Sequence, residues 1–365
     1  MFSVSKQKDI DISVLANQLH GMRIARSKIP SWYEQKKLIY PSKVSMEQCS
    51  SELTAHYKSV LVKGKSFIDL TGGFGIDSFF ISKSFENGIH CEIDTDLQYI
   101  ALHNFKQLSS KIHSVKTDGI DYLNASNDNF DLIYIDPSRR NSSKKKVIQL
   151  KDYTPNILEH LNLLYSKGKV VLLKTAPLLD IKQVLQQIPD VKEVHVVAVN
   201  NECKELLFLI EENSENNIKI QCSDLTKKVS FQFYFKDEDK KCFYSSPLKY
   251  IYEPNTSILK AGAFNSIANQ LNLKKIHKNS HIYTSDILIE NFPGRKFELK
   301  HIKSLDKKEI LPLLKEKKAN ITRRNFPLSV ADIRKKIGVK DGGNDYLFAT
   351  TLIDDKKKIL ICEKI

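Results

Sequence analysis

Short apolar segments alternate with helical patterns along the chain between residues 66 and 210. The predicted strands are SFIDL (66–70), GIHCEID (88–94), IHSVKT (112–117), FDLIYID (130–136), KVVLLKT (169–175), VKEVHVVAV (191–199) and ELLFLI (205–210). The predicted helices between them are 76–85, 97–109, 154–166 and 180–188. Alternation of this kind is typical of parallel strands joined by crossover helices, while the last two strands can form a hairpin. We therefore predict an α/β fold with a doubly wound, mostly parallel, seven-stranded sheet.

The regions on either side of this alternation have different patterns. Residues 11–25 and 45–62 have helical spacing, and Ser45 with Gln48 is typical of a capping box, which predicts an N-terminal helical lobe. The polar stretch EENSENN (211–217) predicts a domain boundary. Beyond it we predict an α+β region with a lysine-rich helix at 303–319, and then a strand, a helix, a DGGN turn and two strands. The predicted domains are 1–60, 61–212, 213–288 and 289–365.

The positive charge of the chain belongs to its C-terminal part. The 365 residues carry a net charge of +14, and residues 213–365, with 30 Lys+Arg and 18 Asp+Glu, account for +12. A basic appended region indicates a polyanionic partner, although a solvated basic surface has the same composition. No run of 18 apolar residues and no signal-peptide pattern occurs, so we expect a cytoplasmic protein without a membrane span. The spacing of the six cysteines fits neither a zinc site nor a disulfide framework, so we expect no metal.

A glycine-rich turn, DLTGGFGID (69–77), follows the first predicted strand and has an acid at each end. Glycines allow a ligand to approach the backbone closely, and ligands of open α/β sheets bind beyond the carboxyl ends of the strands. The turn lacks the GxxxxGK[ST] of a P-loop and the third glycine of GxGxxG. Acids at both ends suit a diphosphate poorly, and they suit S-adenosylmethionine (SAM), which carries an ammonium and a sulfonium. We therefore predict SAM as the cofactor.

Acids at the ends of the next two strands support this prediction. Glu92 follows Gly73 by 19 residues, near the position at which an acid binds the ribose of a bound nucleotide. Asp118 follows the third predicted strand, where it could accept a hydrogen bond from the adenine amino group. Since Asp-Gly is also a turn dipeptide, a cap or turn role for Asp118 stays open.

The fourth predicted strand ends in IDPSRR (135–140), at the same edge of the sheet as the glycine turn. Asp136 and Pro137 occupy the usual location of groups that contact the methyl acceptor, with proline fixing the local backbone direction. Arg139, Arg140 and Lys144–Lys146 follow. They could clamp a phosphate at the mouth of the site, or they could form a solvated basic loop.

Residues 61–210 resemble a class I SAM-dependent methyltransferase. DLTGGFG is similar to the first motif of that superfamily, with Thr71 where glycine is more common, and DPSRR takes the place of the fourth motif. Over nearly the full length, the chain resembles a bacterial family of these enzymes with a C-terminal THUMP-like domain. The segments that carry this resemblance are YPSKVSMEQCSSELTAHYK, DLTGGFGID, DPSRR, RRNFPLSVADIRKKIG and DGGNDYLFAT.

The resemblance implies a helical lobe, a Rossmann-like catalytic domain, a ferredoxin-like segment and a THUMP-like end. THUMP domains bind RNA, so it also implies RNA methylation, on tRNA or rRNA. The implied cofactor residues are Asp69, Thr71, Gly72, Gly73, Phe74, Gly75, Glu92 and Asp118. The implied catalytic residues are Asp136, Pro137, Ser138 and Arg139.

The acceptor atom is not settled by these residues. Enzymes that methylate an exocyclic amine often carry (D/N)PP(Y/F), and here Ser138 and Arg139 replace the last two residues. Methylation at a base carbon requires a cysteine, and Cys203, in a predicted link between strands, is a weak candidate. Two kinds of methyl acceptor remain: a nitrogen whose N–H is held by Asp136, or an oxygen. We predict methyl transfer to a base of structured RNA, with a small-molecule or protein methyltransferase and a non-catalytic RNA-binding protein as alternatives.

The single tryptophan and the C-terminal basic residues are less specific signals. Trp32 is expected to pack in the helical lobe, although a stacking role on a nucleobase is the alternative. Basic residues near the C-terminus could follow an RNA backbone, or they could simply be exposed. These residues are Arg323, Arg324, Arg334–Lys336, Lys315, Lys317 and Lys318.

Overall fold

The computed structural model describes residues 12–139, 149–215 and 217–365. The chain forms two compact units. The first runs to Val194 and includes residues 205–216, and the second contains residues 195–204 and 217–365. Among the described residues, no helix has the length and apolar character needed to cross a membrane.

The first unit begins with four helices. They are α1 (Ile12–Lys28), α2 (Pro30–Tyr33), α3 (Lys43–Gln48) and α4 (Glu52–Ser59). The predicted continuous helix over 45–62 is wrong, because Cys49 is extended and separates α3 from α4. The predicted capping box at Ser45 is also wrong, since Ser45 lies inside α3. Ser51 caps α4 instead, where its hydroxyl accepts from the Thr54 amide.

Trp32 anchors this lobe to the glycine loop. Its side chain is fully buried and meets the rings of Phe74 and Phe79 edge-on, with centroids 6.2 and 5.6 Å away. The prediction of a packing role is therefore confirmed.

The first unit also contains most of the large sheet. Its strands are β1 (Gly64–Asp69), β2 (Phe85–Glu92), β3 (Ile112–Lys116), β4 (Phe130–Ile135), the short β5 (Ser138–Arg139) and β6 (Tyr153–Thr154), β7 (Gly168–Thr175), β8 (Val191–Val199) and β9 (Glu202–Ile210). Its helices are α5 (Ile76–Ser82), α6 (Thr95–Gln107), α7 (Gly119–Ala125), α8 (Ile157–Lys167) and α9 (Ile181–Gln187). Residues 195–204 of the β8 and β9 region are counted with the second unit. Helix α7 is absent from the sequence prediction.

The strand order β8-β9-β7-β4-β1-β2-β3 places the switch point between β1 and β4. Strands β1, β2, β3, β4 and β7 pair in parallel, and β9 is antiparallel to β7. Leu132–Ile135 of β4 are buried, as expected for a central strand covered on both faces. The predicted doubly wound α/β fold class is confirmed, but the sheet has nine strands instead of seven, because β10 (Lys219–Asp224) and β11 (Val229–Tyr234) continue it beyond β8. Because β1 and β4 are neighbouring parallel strands, Asp69 and Asp136 lie beside each other at one edge of the sheet.

The second unit is an α+β structure. Its strands are β10 (Lys219–Asp224), β11 (Val229–Tyr234), β12 (Tyr250–Pro254), β13 (Lys274–Lys275), β14 (Tyr283–Ser285), β15 (Gly294–Lys303), β16 (Asn320–Arg324), β17 (Asp345–Thr351) and β18 (Lys357–Lys364). Its helices are α10 (Thr256–Ala261), α11 (Phe264–Gln270), α12 (Lys307–Ile310) and α13 (Val330–Ile337). Strands β12 to β18 form one sheet in the order β13-β14-β12-β15-β18-β17-β16.

The predicted lysine-rich helix over 303–319 is wrong. Strand β15 extends to Lys303, helix α12 covers only four residues, and a 3₁₀ turn follows at Leu311–Leu313. Pro312 lacks an amide hydrogen and cannot continue an α-helix beyond its first turn.

Candidate active site

A cavity of about 470 Å³ opens at the carboxyl ends of β1, β2 and β4 in the first unit. Predicted site residues on its wall are Asp69, Thr71, Gly72, Gly73, Phe74, Gly75, Glu92, Asp118, Asp136 and Ser138. Pro137 is not among the described lining residues, and the backbone of Arg139 pairs with Tyr153. Arg140 and Lys144–Lys146 lie outside the described residues. The described residues contain no group of three His, Cys, Asp or Glu side chains arranged to hold a metal ion.

The glycines of the loop are required for different reasons. Gly73 and Gly75 have φ angles of +55° and +90°, which favour glycine. A Cβ on Gly72 would lie 2.2 Å from the ring of His90, so only glycine fits there. A Cβ on Gly73 would meet nothing within 4 Å. The loop therefore presents bare backbone to open space in the cavity at Gly73.

His90 packs against this loop and was not predicted as a site residue from the sequence. It is fully buried, with Nε2 3.1 Å from the Gly73 carbonyl and Nδ1 3.1 Å from the Ser114 hydroxyl. Burial lowers the pKa of His90 to about 4, so the ring is neutral. Since a carbonyl only accepts hydrogen bonds, Nε2 carries the proton and Nδ1 accepts from Ser114.

Asp69 holds the start of the loop. One carboxylate oxygen accepts from the Thr71 amide at 3.0 Å, and the other accepts from the Ser78 hydroxyl. The side chain is 1% exposed, and burial raises its pKa to about 7. Asp69 therefore titrates near neutral pH, where a cation in the cavity would favour its ionised form.

Glu92 and Asp118 form the acidic rim at the ends of β2 and β3. One oxygen of Glu92 accepts from the Gly73 amide at 2.7 Å, and the other accepts from the Asp94 amide at 2.7 Å. The Oδ1 atom of Asp118 caps α7 by accepting from the Ile120 and Asp121 amides. The alternative of a cap is thus observed for Asp118. Its Oδ2 has no hydrogen-bond partner in the described part of the chain, and Asp118 also lines the cavity.

Asp136 is tied both to the glycine loop and to a lysine. Its amide donates to the Thr71 hydroxyl at 2.7 Å, which gives threonine a function at a position where glycine is more common. Its Oδ2 accepts from Lys174 Nζ at 2.6 Å. Lys174 is the next-to-last residue of β7, lines the cavity and also donates to Ser50 at 3.1 Å and Asp77 at 3.3 Å. Asp136 and Asp77 hold the pKa of Lys174 well above its usual range despite burial, so it stays charged.

A second lysine lies behind Lys174. Lys58 is buried, with Nζ 2.9 Å from each carboxylate oxygen of Glu205 and 3.2 Å from Asp77 Oδ1. Asp77 Oδ2 also accepts from Tyr134 at 2.7 Å and Ser50 at 2.8 Å. Burial alone would raise the pKa of Asp77, but Lys58 and Lys174 hold it below its usual range. We refer to Lys58, Asp77, Asp136, Lys174 and Glu205 as the charged cluster.

Neither the lysines nor the glutamate of this cluster was predicted from the sequence. Lys174 had a recognisable signal, because it is a charged residue at the carboxyl end of a predicted parallel strand. Glu205 stands at the start of an apolar run, and Lys58 lies on a helix; neither position has such a signal.

Two cysteines line the cavity, although the sequence placed none near Asp136. Burial raises the pKa of Cys49 to about 11 and that of Cys91 to about 12, so both thiols stay protonated. Cys203 lies in β9 and is not a lining residue. The residues that are described therefore show no activated thiol at this cavity for methylation at a base carbon.

The sheet order, the glycine loop at the switch point and the strand-end acids together define the class I methyltransferase fold. A crystal structure of a candidate methyltransferase from Porphyromonas gingivalis is similar over 99% of this chain and 93% of its own, at 32% identity and a TM-score of 0.90. The chain belongs to the bacterial family of class I SAM-dependent methyltransferases with a C-terminal THUMP-like domain.

Family models match the second unit. A ferredoxin-like domain covers residues 250–293, and a THUMP-like domain covers residues 294–364. No curated protein matches the sequence.

Weaker structural likeness extends to RNA methyltransferases. The T. thermophilus 16S rRNA methyltransferase RsmC, in complex with AdoMet and guanosine, is 14% identical with a TM-score of 0.34, over 47% of this chain and 44% of that one. M. capricolum TrmK, with S-adenosyl-homocysteine, is 14% identical with a TM-score of 0.35, over 46% and 70%. Likeness at this level carries no argument about activity.

Proposed function

We propose that the protein is a SAM-dependent methyltransferase that acts on structured RNA, either tRNA or rRNA. The observation that best supports SAM as the cofactor is the bare backbone at Gly73, which faces a cavity whose rim is acidic. Carboxylates at the rim repel a diphosphate and attract a sulfonium and an ammonium. The free space at Gly73 fits a ligand that lies directly against the backbone.

The residues of the rim divide between the parts of the cofactor. Glu92 is held by two amides and presents its remaining lone pairs to the ribose hydroxyls. The free Oδ2 of Asp118 accepts from the adenine amino group. Asp69, Gly73 and Gly75 surround the methionine part, and Thr71, Gly72 and Phe74 keep the loop in shape. When bound, SAM supplies an electrophilic methyl group on a sulfonium.

Asp136, Pro137, Ser138 and Arg139 belong to the acceptor side. Asp136 is 37% exposed, and the ammonium of Lys174 orients its carboxylate through a hydrogen bond. A carboxylate in this state accepts a hydrogen bond from the acceptor group and can take its proton. Methyl transfer requires in-line approach of the acceptor, so positioning supplies much of the acceleration.

The second unit supports RNA as the substrate. Its sequence range is strongly basic, and its C-terminal part matches a THUMP-like domain. Arg324 and Arg334 are engaged with Glu253 and Asp341, whereas Lys317, Lys335 and Lys336 are exposed. The exposed lysines are the better candidates for phosphate contacts. A small-molecule or protein substrate would not require this charge.

Two measurements test the proposed function. Calorimetry should detect SAM binding, and Glu92→Ala should weaken it at least about tenfold, since charged hydrogen bonds are worth about 1.5–3 kcal/mol. Glu86→Ala, an exposed glutamate at the opposite end of β2, is the matched control and should bind normally. Mass spectrometry of RNA nucleosides from a deletion strain should show that one methylated nucleoside is lost. No SAM binding, or an unchanged nucleoside profile, would contradict the proposal.

A further inference from the structure

We propose that the methyl acceptor is a hydroxyl of the RNA sugar, the 2′-hydroxyl, and not the base atom that the sequence predicts. This inference rests on the proposed function and names the atom on which it acts. The observation behind it is the charged cluster, in which the ammonium of Lys174 lines the cavity beside Asp136 and Asp77. The ion pair of Lys58 and Glu205 is buried behind them.

The signs of these charges distinguish the two kinds of acceptor. A neutral nitrogen gains positive charge as it attacks a methyl group, and an ammonium at hydrogen-bond distance would oppose that change. A hydroxyl oxygen instead gains negative charge as its proton leaves, and a nearby ammonium stabilises it. Lys174 lines the cavity, and Lys58 lies behind it on the other side of Asp77. The site is therefore built for an oxygen.

Within the described part of the chain, the cavity wall has no surface on which a base could stack. Among the described residues that line it, the aromatic side chains are Phe74 and Tyr134, which are 4% and 1% exposed. Tyr134 donates its hydroxyl to Asp77, and the sequence has Arg139 at the position where an amine methyltransferase often has an aromatic residue. Enzymes that act on a base take it out of the helical stack and hold it between flat side chains. A sugar hydroxyl requires no such platform.

Asp136 and Lys174 then have complementary tasks. The N–H group of Lys174 that donates to Asp77 makes the longest of these hydrogen bonds, 3.3 Å, and can turn toward the acceptor oxygen. The hydrogen bonds to Asp136 and Ser50 meanwhile hold the ammonium in place. The carboxylate oxygen of Asp136 that does not contact Lys174 accepts the hydroxyl proton. The O–H bond breaks, the O–CH₃ bond forms, and the electron pair of the S–CH₃ bond stays on sulfur. The proton on Asp136 then leaves to water.

The 2′-hydroxyl is the one free hydroxyl of an internal RNA nucleotide, and it distinguishes RNA from DNA. The decisive experiment incubates the full-length protein with SAM labelled in its methyl group and with total RNA from the deletion strain. The RNA is digested to nucleosides, and the label is located by mass spectrometry after the glycosidic bond is broken. We expect the label on the sugar fragment and an alkali-resistant linkage at the modified site.

Other outcomes separate the inference from the proposed function. Label on the base fragment would overturn the 2′-hydroxyl and leave the RNA methyltransferase standing. Absence of label in any RNA, with SAM binding intact, would overturn RNA as the substrate and this inference with it.

Variants of Lys174 test the mechanism independently. Lys174→Met should lower kcat at least about 100-fold, as expected for loss of an oxyanion-stabilising donor, with the Kd for SAM changed less than about twofold. Lys174→Arg should retain more activity than Lys174→Met.

Lys169→Met provides the matched control. Lys169 lies on the same strand, its side chain is 78% exposed, and it pairs with Asp131. This variant should keep full activity. If Lys174→Met were folded and retained kcat within about threefold of the wild type, the assignment of Lys174 would be wrong.

Discussion

The Nζ atom of Lys58 lies 2.9 Å from each carboxylate oxygen of Glu205, although the two residues are 147 positions apart in the chain. Lys58 belongs to helix α4 of the N-terminal lobe, and Glu205 belongs to strand β9 of the sheet. Both side chains are almost completely buried. The lobe is thus joined to the sheet by a desolvated ion pair that also contacts Asp77 behind the acceptor side of the cavity.

Removal of one partner from this pair should destabilise the protein strongly. We expect Glu205→Gln to lower the free energy of unfolding by about 3–5 kcal/mol, because Lys58 would stay buried with its charge incompletely paired. The measurement is urea unfolding followed by tryptophan fluorescence, since Trp32 is buried in the lobe. The control is Glu211→Gln, which breaks the more exposed pair with Lys192 and should cost less than about 1 kcal/mol. Equal losses in the two variants would contradict a special role for the buried pair.

Asp69 should make SAM binding release protons near neutral pH. Its pKa of about 7 in the ligand-free protein lies above the ordinary value, so near pH 7 a large fraction carries a proton. A bound cation lowers the pKa, and we expect release of up to about half a proton at pH 7. The release should decline toward pH 9, where the carboxylate is already ionised. Calorimetry in buffers of different ionisation enthalpy measures it, and Asp69→Asn should abolish it. Unchanged release in Asp69→Asn would assign the proton to another group.

Gly73→Ala should separate an effect on the cofactor from an effect on the backbone. Gly73 and Gly262 both have left-handed φ angles, +55° and +73°, and an added Cβ meets nothing within 4 Å at either position. Both alanine variants should therefore lose about 1–2 kcal/mol of stability. Because the Cβ at position 73 projects into the cavity, that variant alone should lose SAM affinity, by at least about tenfold. Similar SAM affinity in both variants would show that the cofactor does not lie against Gly73.

The exposed lysines of the second unit should determine the salt dependence of RNA binding. We expect the triple change Lys317→Gln, Lys335→Gln and Lys336→Gln to weaken RNA binding. It should also reduce the slope of log affinity against log salt by up to about 2–3, since each phosphate contact contributes just under one unit. Filter binding over a range of salt concentrations measures this slope. The control removes three exposed lysines of the first unit, Lys63, Lys65 and Lys111, and should leave the slope nearly unchanged.

The sequence was a reliable guide where the signal was local. The predicted strand ends and the glycine turn brought Asp69, Gly73, Glu92 and Asp136 to one cavity wall. The reason is that parallel strands end at the same edge of a sheet, so position along the chain implies position in space. Some elements had no clear local signal. Helix α7, which Asp118 caps, was not predicted, and the half-exposed, highly charged strand β15 was missed.

By itself, the sequence determined the order of strands and helices, the glycine loop and the acids that follow β1 to β4, since these depend on periodicity and spacing within short segments. Only the tertiary structure decided that Lys58, Lys174 and Glu205 surround Asp77 and Asp136. Their proximity depends on how helix α4 packs against the sheet and on which strands are neighbours. The electrostatic character of the acceptor side follows from that packing, because a charge acts on its neighbours in space, whatever their separation along the chain.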